Sequence, residues 1–447
     1  MTVRPRLTVI GTGYLGATHA VCMAELGFEV LGLDVLPEKV AALQAGTVPF
    51  FEPGLPELLR KNLESGRLRF TTSYEEVGAF GDVHFVCVGT PQKRGEYAAD
   101  MTYVDAAFRA LVPHARAGSL LVGKSTVPAG TAERLAQEIV GARGAELDLA
   151  WNPEFLREGF AVEDTLRPDR LVFGVAGGSR GARAEQLLRE AFAPVISGED
   201  GSPTPVVVTD FATAQLVKVA ANAFLATKIS FINAMAEVCE ATGGDVTLLS
   251  KALSYDTRIG GRFLHAGLGF GGGCLPKDIR AFMARAGELG VDQALSFLKE
   301  VDAINLRRRA RMIDLARELV GGSFGGMRVA VLGAAFKPNS DDIRDSPALD
   351  VAAAIQRQGA AVCLYDPQAM DNARVKHPEL GYRDSALEAA KGADIVLHLT
   401  EWAEFRSMDP AVLGQVVAER NIVDGRNALD PTTWRAAGWH YRALGRP

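Results

Sequence analysis

Short apolar runs punctuate the first part of the chain, at Leu7 to Ile10, Val30 to Leu33, Val83 to Val88, Leu120 to Gly123 and Leu147 to Trp151, and each gives way to a glycine or a polar residue. Runs this short, with little polar alternation, suit strands covered on both faces, the condition of a parallel sheet. Between the first two, Tyr14 to Leu26 has helical character and stops at Gly27, which predicts a strand, helix, strand unit. Further on, Thr209 or Asp210 is a good N-cap, and Phe211 to Thr242 reads as one long helix rich in Ala, Leu, Val and Ile, stopped by Gly243-Gly244. A helix of that length predicts a spine between domains, and more helices follow to about Arg311. At Arg328 a second α/β unit begins and echoes the first. Val329 to Gly333 parallels Leu7 to Gly11, Cys363 to Asp366 parallels Leu31 to Asp34, and Ala393 to Leu397 parallels Gly81 to Val86.

The junction after the first strand is Gly11-Thr12-Gly13-Tyr14-Leu15-Gly16, a dinucleotide fingerprint in its proper setting. The first glycine makes the tight turn, the second lets a pyrophosphate approach the helix N-terminus, and the third permits close helix–strand packing. Asp34 ends the next strand 18 residues after Gly16, where it can accept from the adenosine ribose hydroxyls. Its charge would repel a 2′-phosphate, so NAD is expected rather than NADP. The expected fold class is α/β, with two Rossmann-like doubly wound domains joined by a long central helix and a helical middle domain. The boundaries expected are 1–205, 206–312 and 313–447. In such sheets ligands sit outside the carboxyl ends of the strands. The loops Gly89-Thr90-Pro91, Lys124 to Pro128 and Asn152 to Glu158 should therefore converge on cofactor and substrate, although Thr90 and Thr126 taken alone could be turn or cap residues. The second unit lacks the glycine triplet and offers Phe336-Lys337, Arg344 and Asp424-Gly425-Arg426 at strand ends, cations better suited to a nucleotide diphosphate.

Composition narrows the function. A length of 447 residues gives a prior of about three domains, and 48% hydrophobic with 23% charged residues allows large buried cores. A net charge of -6 argues against a dedicated nucleic-acid binder. The five cysteines, Cys22, Cys87, Cys239, Cys274 and Cys363, have no Cys-x-x-Cys spacing, so neither a disulfide framework nor a zinc site is expected and a reducing cytoplasm fits best. The N-terminus runs straight into the fingerprint strand, and no uninterrupted apolar run approaches a membrane span, so neither secretion nor membrane insertion is expected.

The densest local signal is Gly267-Leu268-Gly269-Phe270-Gly271-Gly272-Gly273-Cys274-Leu275-Pro276-Lys277-Asp278. Glycines at this density let the backbone lie against a ligand, and they lead directly into one thiol. A helical turn beginning there would bring the cation of Lys277 and the carboxylate of Asp278 beside the sulfur. A flexible turn ending in an inert cysteine satisfies the same residues. On the long helix, Lys218 and Asn222 are spaced to share one face. The glycine-cysteine run, the fingerprint, the Lys-x-x-x-Asn pair and the second α/β unit together resemble the UDP-glucose 6-dehydrogenases and related nucleotide-sugar 6-dehydrogenases, in that family's order and spacing from Leu7 to about Arg426. One departure is Gly273, where many members carry a serine.

The resemblance implies roles residue by residue. NAD would be held by Gly11, Gly13, Gly16, Asp34, Lys39, Thr90, Thr126, Glu158, Lys277 and Arg344, the last reaching across from the second α/β unit. The sugar nucleotide would meet Glu154, Phe155, Leu156, Arg157 and Glu158, then Lys218, Asn222, Phe263, Leu264, His265, Ala266, Gly267, Gly271, Lys337 and Arg426. Arg258 would reach into the sugar site of a partner subunit, which makes a homodimer the expected active unit. The implied reaction oxidises a hexose C6 alcohol to a carboxylate with two NAD. Cys274 would carry a thiohemiacetal and then a thioester, Lys218 and Asn222 would stabilise oxyanions, Asp278 and Thr126 would order water, and Glu158 would support proton transfer. GDP-mannose and UDP-N-acetylmannosamine 6-dehydrogenases are rivals within the class, and Phe263 to Asp278 looks most like the glucose enzymes. Outside it stand a two-electron NAD hydroxyacid dehydrogenase, which would not need Cys274, and an NAD-sensing scaffold.

Overall fold

The computed structural model describes residues 4–198 and 202–447. The chain divides into two compact units, one running to Ala221 and including Arg280–Leu289, the other formed by Asn222–Ile279 and Gly290–Pro447.

In the first unit, β1 (Leu7–Ile10), β2 (Val30–Leu33), β3 (Leu68–Thr71), β4 (Val83–Val86), β5 (Leu120–Gly123), β6 (Asp148–Trp151), β7 (Leu171–Val175) and β8 (Val206–Thr209) form one sheet in the order β3-β2-β1-β4-β5-β6-β7-β8. β1 sits at its middle, with Leu7 level with Val30 on one side and Val83 on the other. The unbroken apolar runs have a simple cause, since each face of the sheet has its own core. Leu7, Val9, Val30, Val83, Phe85, Leu120 and Val122 join one cluster, while Ile10, Leu31, Leu33, Val86, Leu121 and Leu149 join the other. Each such fully buried side chain contributes roughly 1.5–3 kcal/mol. Thr8 and His84 break the apolar pattern on neighbouring strands and hydrogen-bond to each other at 2.7 Å.

β6 and β7 pair antiparallel, and β7 with β8 parallel, so the sheet extends beyond its first six strands by a reversed pair that the sequence reading did not anticipate. Leu171 to Val175 carries the same apolar signal as its neighbours, but burial encodes no strand direction.

The second unit repeats the first six positions. β9 (Arg328–Leu332), β10 (Ala361–Tyr365), β11 (Gly381–Tyr382), β12 (Ile395–His398), β13 (Asn421–Asp424) and β14 (His440–Ala443) run parallel in the order β11-β10-β9-β12-β13-β14. The echo in sequence is thus an echo in topology. Asp366, the counterpart of Asp34, has a different duty. One of its oxygens accepts from the Ala334 and Ala335 amides at 2.7 and 3.0 Å and from the Trp402 indole at 3.0 Å, and the other accepts from Gln368 and Ala369 at 2.9 Å. A carboxylate so occupied, 1% exposed, has nothing left to offer a ribose.

Five helices matter for the site: α1 (Tyr14–Glu25), α2 (Phe211–Thr242), α3 (Val246–Ser254), α4 (Leu275–Glu288) and α5 (Phe297–Leu319). Asp210 caps α2 by accepting from the Thr213 amide at 2.7 Å. By length and composition alone α2 could cross a membrane, with mean hydropathy 1.3 in its most apolar window, 44% of it buried, which amends the expectation that no stretch approaches a span. Its polar residues mark it as a core helix. Gln215, Lys218, Asn222, Ser230 and Asn233 are buried, Gln215 donates to Phe211 and Glu133, and Ser230 donates to Val301.

Candidate active site

The fingerprint turn can be tested for its fit to a dinucleotide from its own crowding. Gly11 has φ +87, and a Cβ there would meet Val88 Cγ1 at 2.8 Å, while a Cβ on Gly16 would lie 1.8 Å from the Gly11 oxygen. The chain itself demands both glycines. At Gly13 a Cβ would meet nothing within 4 Å, so the space in front of the α1 N-terminus is open, as a pyrophosphate requires. Asp34, 6% exposed, accepts from the Thr12 amide at 3.0 Å, the Leu36 amide at 3.2 Å and Lys39 Nζ at 2.9 Å. Burial pushes its carboxyl up, but Lys39 and the two amides outweigh burial and hold it below the ordinary carboxylate range. The residues present fit NAD, with an ionised Asp34 for the ribose and Lys39 steadying it. Asp34→Asn is expected to raise the KM for NAD about tenfold or more while narrowing the gap to NADP, since it removes a charge-assisted acceptor. Initial rates with each cofactor measure both.

Beyond β4 to β6, the three loops carry the other first-unit residues. Thr90 Oγ1 donates to the Thr126 carbonyl at 2.9 Å, so these two positions are brought together. Between them Lys124 is buried, donating to Asn152 Oδ1 at 2.9 Å and lying over the Phe85 and Phe192 rings. Burial lowers its pKa. Asn152 begins the loop that delivers Glu154, whose Oε1 pairs with Lys218 Nζ at 2.9 Å and whose Oε2 accepts from the Leu156 amide at 2.6 Å. Phe155 lies under two cations, Arg170 at 3.8 Å and Lys218 at 5.6 Å from its ring centre. Arg157 is exposed and bound to Asp164 at 2.6 Å, and Glu158 is half-buried directly after it.

In the second unit Cys274 stands immediately before α4 and is exposed, whereas Cys22, Cys87 and Cys239 are buried. Burial also pushes the Cys22 and Cys87 thiols up to about 12, which keeps those two inert. The positive end of a helix favours negative charge developing on an adjacent sulfur. Asp278, 2% exposed, lies one turn into α4 and donates its amide to the Cys274 carbonyl at 2.9 Å. Its two carboxylate oxygens are held by Lys277 at 2.6 Å and by Asn222 at 2.7 Å. Lys277 and Asp278 thus stand in the turn that follows the cysteine, and Asn222 on α2 joins them through Asp278. The glycine departure has a geometric counterpart, because a Cβ at Gly273 would come within 2.2 Å of Arg344 Cζ. Arg344 is itself held by Asp342 at 2.7 Å.

The residues expected along the sugar divide by burial. Phe263 sits at φ +65, an uncommon conformation for a bulky residue, and His265 is exposed. Leu264 and Ala266 are buried in a small cluster with Ile232, Ala236 and Val246, which leaves only their main chain to face a ligand. Gly267 and Gly271 press against the Gly425 and Asp345 carbonyls, with no room for a Cβ. Arg426 donates to the carbonyls of Gly269, Phe336 and Leu399 at 3.0, 3.0 and 2.7 Å and approaches Glu401 at 3.4 Å, while burial lowers its pKa. Lys337 lies 5.4 Å from the Phe336 ring centre. Arg258, with its side chain 88% exposed, is braced by Asp256 at 2.6 Å.

Two residues that shape the cysteine loop were missed in the sequence. Asn305, 0% exposed on α5, brackets the Phe270 peptide, accepting from its amide at 2.7 Å and donating to its carbonyl at 2.9 Å. Asn233 on α2 accepts from the Gly267 amide at 2.9 Å. Asn233 stood among apolar neighbours on its helix, where a buried amide needs a partner, whereas Asn305 was hidden among the charged residues Asp302, Arg308 and Arg309 of its own buried face.

Residues 5–192 match the NAD binding domain of the UDP-glucose/GDP-mannose dehydrogenase family, residues 212–307 its central domain and residues 330–431 its UDP binding domain. Over 99% of this chain the UDP-glucose 6-dehydrogenase of Rhizobium meliloti (strain 1021) is 41% identical, and the match covers 100% of that protein. The UDP-glucose 6-dehydrogenase of Pseudomonas aeruginosa is 39% identical over 99% of this chain and 98% of its own. Among solved structures, a UDP-glucose dehydrogenase from Pyrobaculum islandicum superposes with a TM-score of 0.89 at 38% identity, covering 100% of this chain and 99% of that one. The UDP-D-ManNAc dehydrogenase from Pyrococcus horikoshii follows the same fold with a TM-score of 0.83 at 27% identity, covering 99% of each chain. The open turn at Gly13, the exposed thiol at the head of α4 and these likenesses converge, and the chain belongs to the UDP-glucose/GDP-mannose dehydrogenase family.

Proposed function

We propose that the protein oxidises the C6 alcohol of UDP-glucose to the carboxylate of UDP-glucuronate, using two NAD per sugar. The observation that carries this reading is Cys274, an exposed thiol at a helix N-terminus beside a buried carboxylate held by a lysine and an asparagine. NAD, when bound, supplies the hydride acceptor for each of the two oxidations. The chain's own residues do the rest. Lys218 opposes the negative charge on the C6 oxygen, with Asn222 as a second donor, each such contact worth typically a few kcal/mol in a site shielded from water. The Cys274 sulfur bonds to the aldehyde carbon and the carbonyl oxygen takes a proton, giving a thiohemiacetal that cannot diffuse away. Oxidation of that carbon leaves a thioester. Asp278 and Thr126 order the water that adds to it, Glu158 assists the proton transfers, and cleavage of the C–S bond returns the thiol and releases the acid.

The matched ranges support an assignment of residues 1–205 to cofactor binding, 206–312 to the spine and cysteine, and 313–447 to the UDP-sugar. In it, Gly11, Gly13, Gly16, Asp34, Lys39, Thr90, Lys277 and Arg344 serve NAD. Glu154 to Glu158, Phe263 to Gly267, Gly271, Lys337 and Arg426 serve the sugar nucleotide. Likeness to the glucose enzymes at 39–41% identity favours UDP-glucose over GDP-mannose or UDP-N-acetylmannosamine. NADH counted per sugar over a panel of UDP- and GDP-sugars decides: two NADH from UDP-glucose is the expected result. One NADH would replace this reading with a two-electron dehydrogenase, and oxidation of GDP-mannose alone would replace the substrate. Five free thiols suit a reducing cytoplasm.

We also propose a homodimer in which Arg258 reaches the partner's sugar. Phe224, Phe231 and Val238 recur every seventh residue along α2 and are 66%, 49% and 52% exposed, an apolar stripe, and Leu248 on α3 is 64% exposed. Such a stripe is costly in water and suits a second copy of itself. Phe231→Glu is expected to shift the mass seen by light scattering from dimer to monomer.

A further inference from the structure

Glu52 lies in the loop ahead of Pro53-Gly54, outside the glycine fingerprint and the cysteine run, and is 2% exposed. Burying a carboxylate costs several kcal/mol unless its lone pairs are met. No cation pairs with it among the described residues. Its partners are neutral: one oxygen accepts from the Tyr14 hydroxyl and from the Gly159 amide at 2.7 Å, and the other accepts from the Ala161 amide at 2.7 Å. The Gly159 amide also donates to the Tyr14 hydroxyl at 3.0 Å, which closes the triangle. Burial and the Glu52 charge raise the pKa of Tyr14, so its hydroxyl stays a donor.

What these partners belong to gives the cluster its meaning. Tyr14 is the first residue of α1, inside the glycine fingerprint, and its ring rests on Phe50 with centroids 4.8 Å apart. Gly159, at φ +79, and Ala161 directly follow the loop from Glu154 to Glu158, which carries the partner of Lys218. One buried anion thus ties the turn that would hold the pyrophosphate to the loop assigned to the sugar. Capping the short helix Ala161–Leu166 would need only the Gly159 and Ala161 amides and would not recruit a fingerprint tyrosine.

Resting on the reading above, we infer that Glu52 is a positioning residue that locks the Glu154 to Glu158 loop to the N-terminus of α1, so that cofactor binding orders the loop that receives the sugar. Glutamine is nearly the same shape but cannot accept on both arms, and the Ala161 or Gly159 amide would be left facing an NH2 group. The full-length protein and its Glu52→Gln and Tyr14→Phe variants are compared in two ways. In hydrogen exchange, saturating NAD is expected to slow exchange across residues 154–162 of the wild type and to leave it unslowed in Glu52→Gln, with residues 12–25 protected in both. In steady-state kinetics, kcat/KM for UDP-glucose in Glu52→Gln is expected to fall about tenfold or more, with NAD affinity from a fluorescence titration held within about twofold. Tyr14→Phe keeps the carboxylate and both amides and should move both readouts in the same direction by a smaller factor, so it decides if Glu52→Gln does not fold. A lowered melting temperature with loop protection and kcat/KM per folded molecule unchanged would reduce Glu52 to a helix cap and overturn the inference. An equal loss of NAD affinity would assign it to the cofactor cradle instead and overturn it as well. A wild type that oxidises no nucleotide sugar would defeat the proposed function, while the exchange measurement would still judge the lock.

Discussion

Cys274→Ser is expected to lower the rate of UDP-glucuronate formation by ~10³-fold or more, because a serine hydroxyl near neutral pH lacks the nucleophilicity of a thiol. The substitution replaces one atom of an exposed side chain at the start of α4, so the melting temperature should stay within a degree or two. NAD and UDP-glucose should still bind, since the substitution leaves the Asp34 and Asp278 carboxylates and the residues that hold them unchanged. NADH production followed at 340 nm, alongside binding titrations, measures all three. Turnover to the acid at more than about a tenth of the wild-type rate would mean that the aldehyde needs no covalent carrier, and the two-electron reading would then gain.

Lys218→Met should reduce kcat by about 10²–10³-fold through the loss of the cation opposing the C6 oxygen. It should also cost stability. Lys218 and Glu154 have side chains only 6% and 13% exposed, and their pairing at 2.9 Å leaves Glu154 dependent on the ammonium. Removing one partner of a buried pair typically costs about 3–5 kcal/mol, because the other charge is stranded. The double variant Lys218→Met with Glu154→Gln should recover much of the melting temperature and none of the kcat. Recovery of both would make the lysine a structural counter-ion only. NAD affinity, measured in the same set, should stay near wild type throughout.

How much of this was legible in the chain depends on what kind of signal carried it. The fingerprint glycines could be read because close approach leaves no substitute at Gly11 and Gly16, and the long helix because Asp210 and Gly243 punctuate it within a residue of its observed ends. The duplicated halves showed as repeated apolar runs, since each sheet needs the same two-sided burial. Other features left no such mark. Asp34 and Asp366 stand at equivalent positions with the same side chain, and only their neighbours tell them apart, Lys39 pairing with the first and the Trp402 indole with two further amides closing off the second. Glu52 reads as an ordinary loop acid, because the tyrosine and the amides that claim it lie 38 and more than 100 residues away. The reversed β7 was invisible for the reason that apolar runs record burial and say nothing of heading.

Arg426 spends its guanidinium on three main-chain oxygens, and main-chain oxygens are common to every amino acid. The joint itself therefore makes no demand on which side chains stand at 336 and 399, although Leu399 is fixed by its place in the core, whereas lysine, with one compact ammonium in place of a rigid fork, could not span the same three directions. A library that randomises the arginine should recover arginine alone.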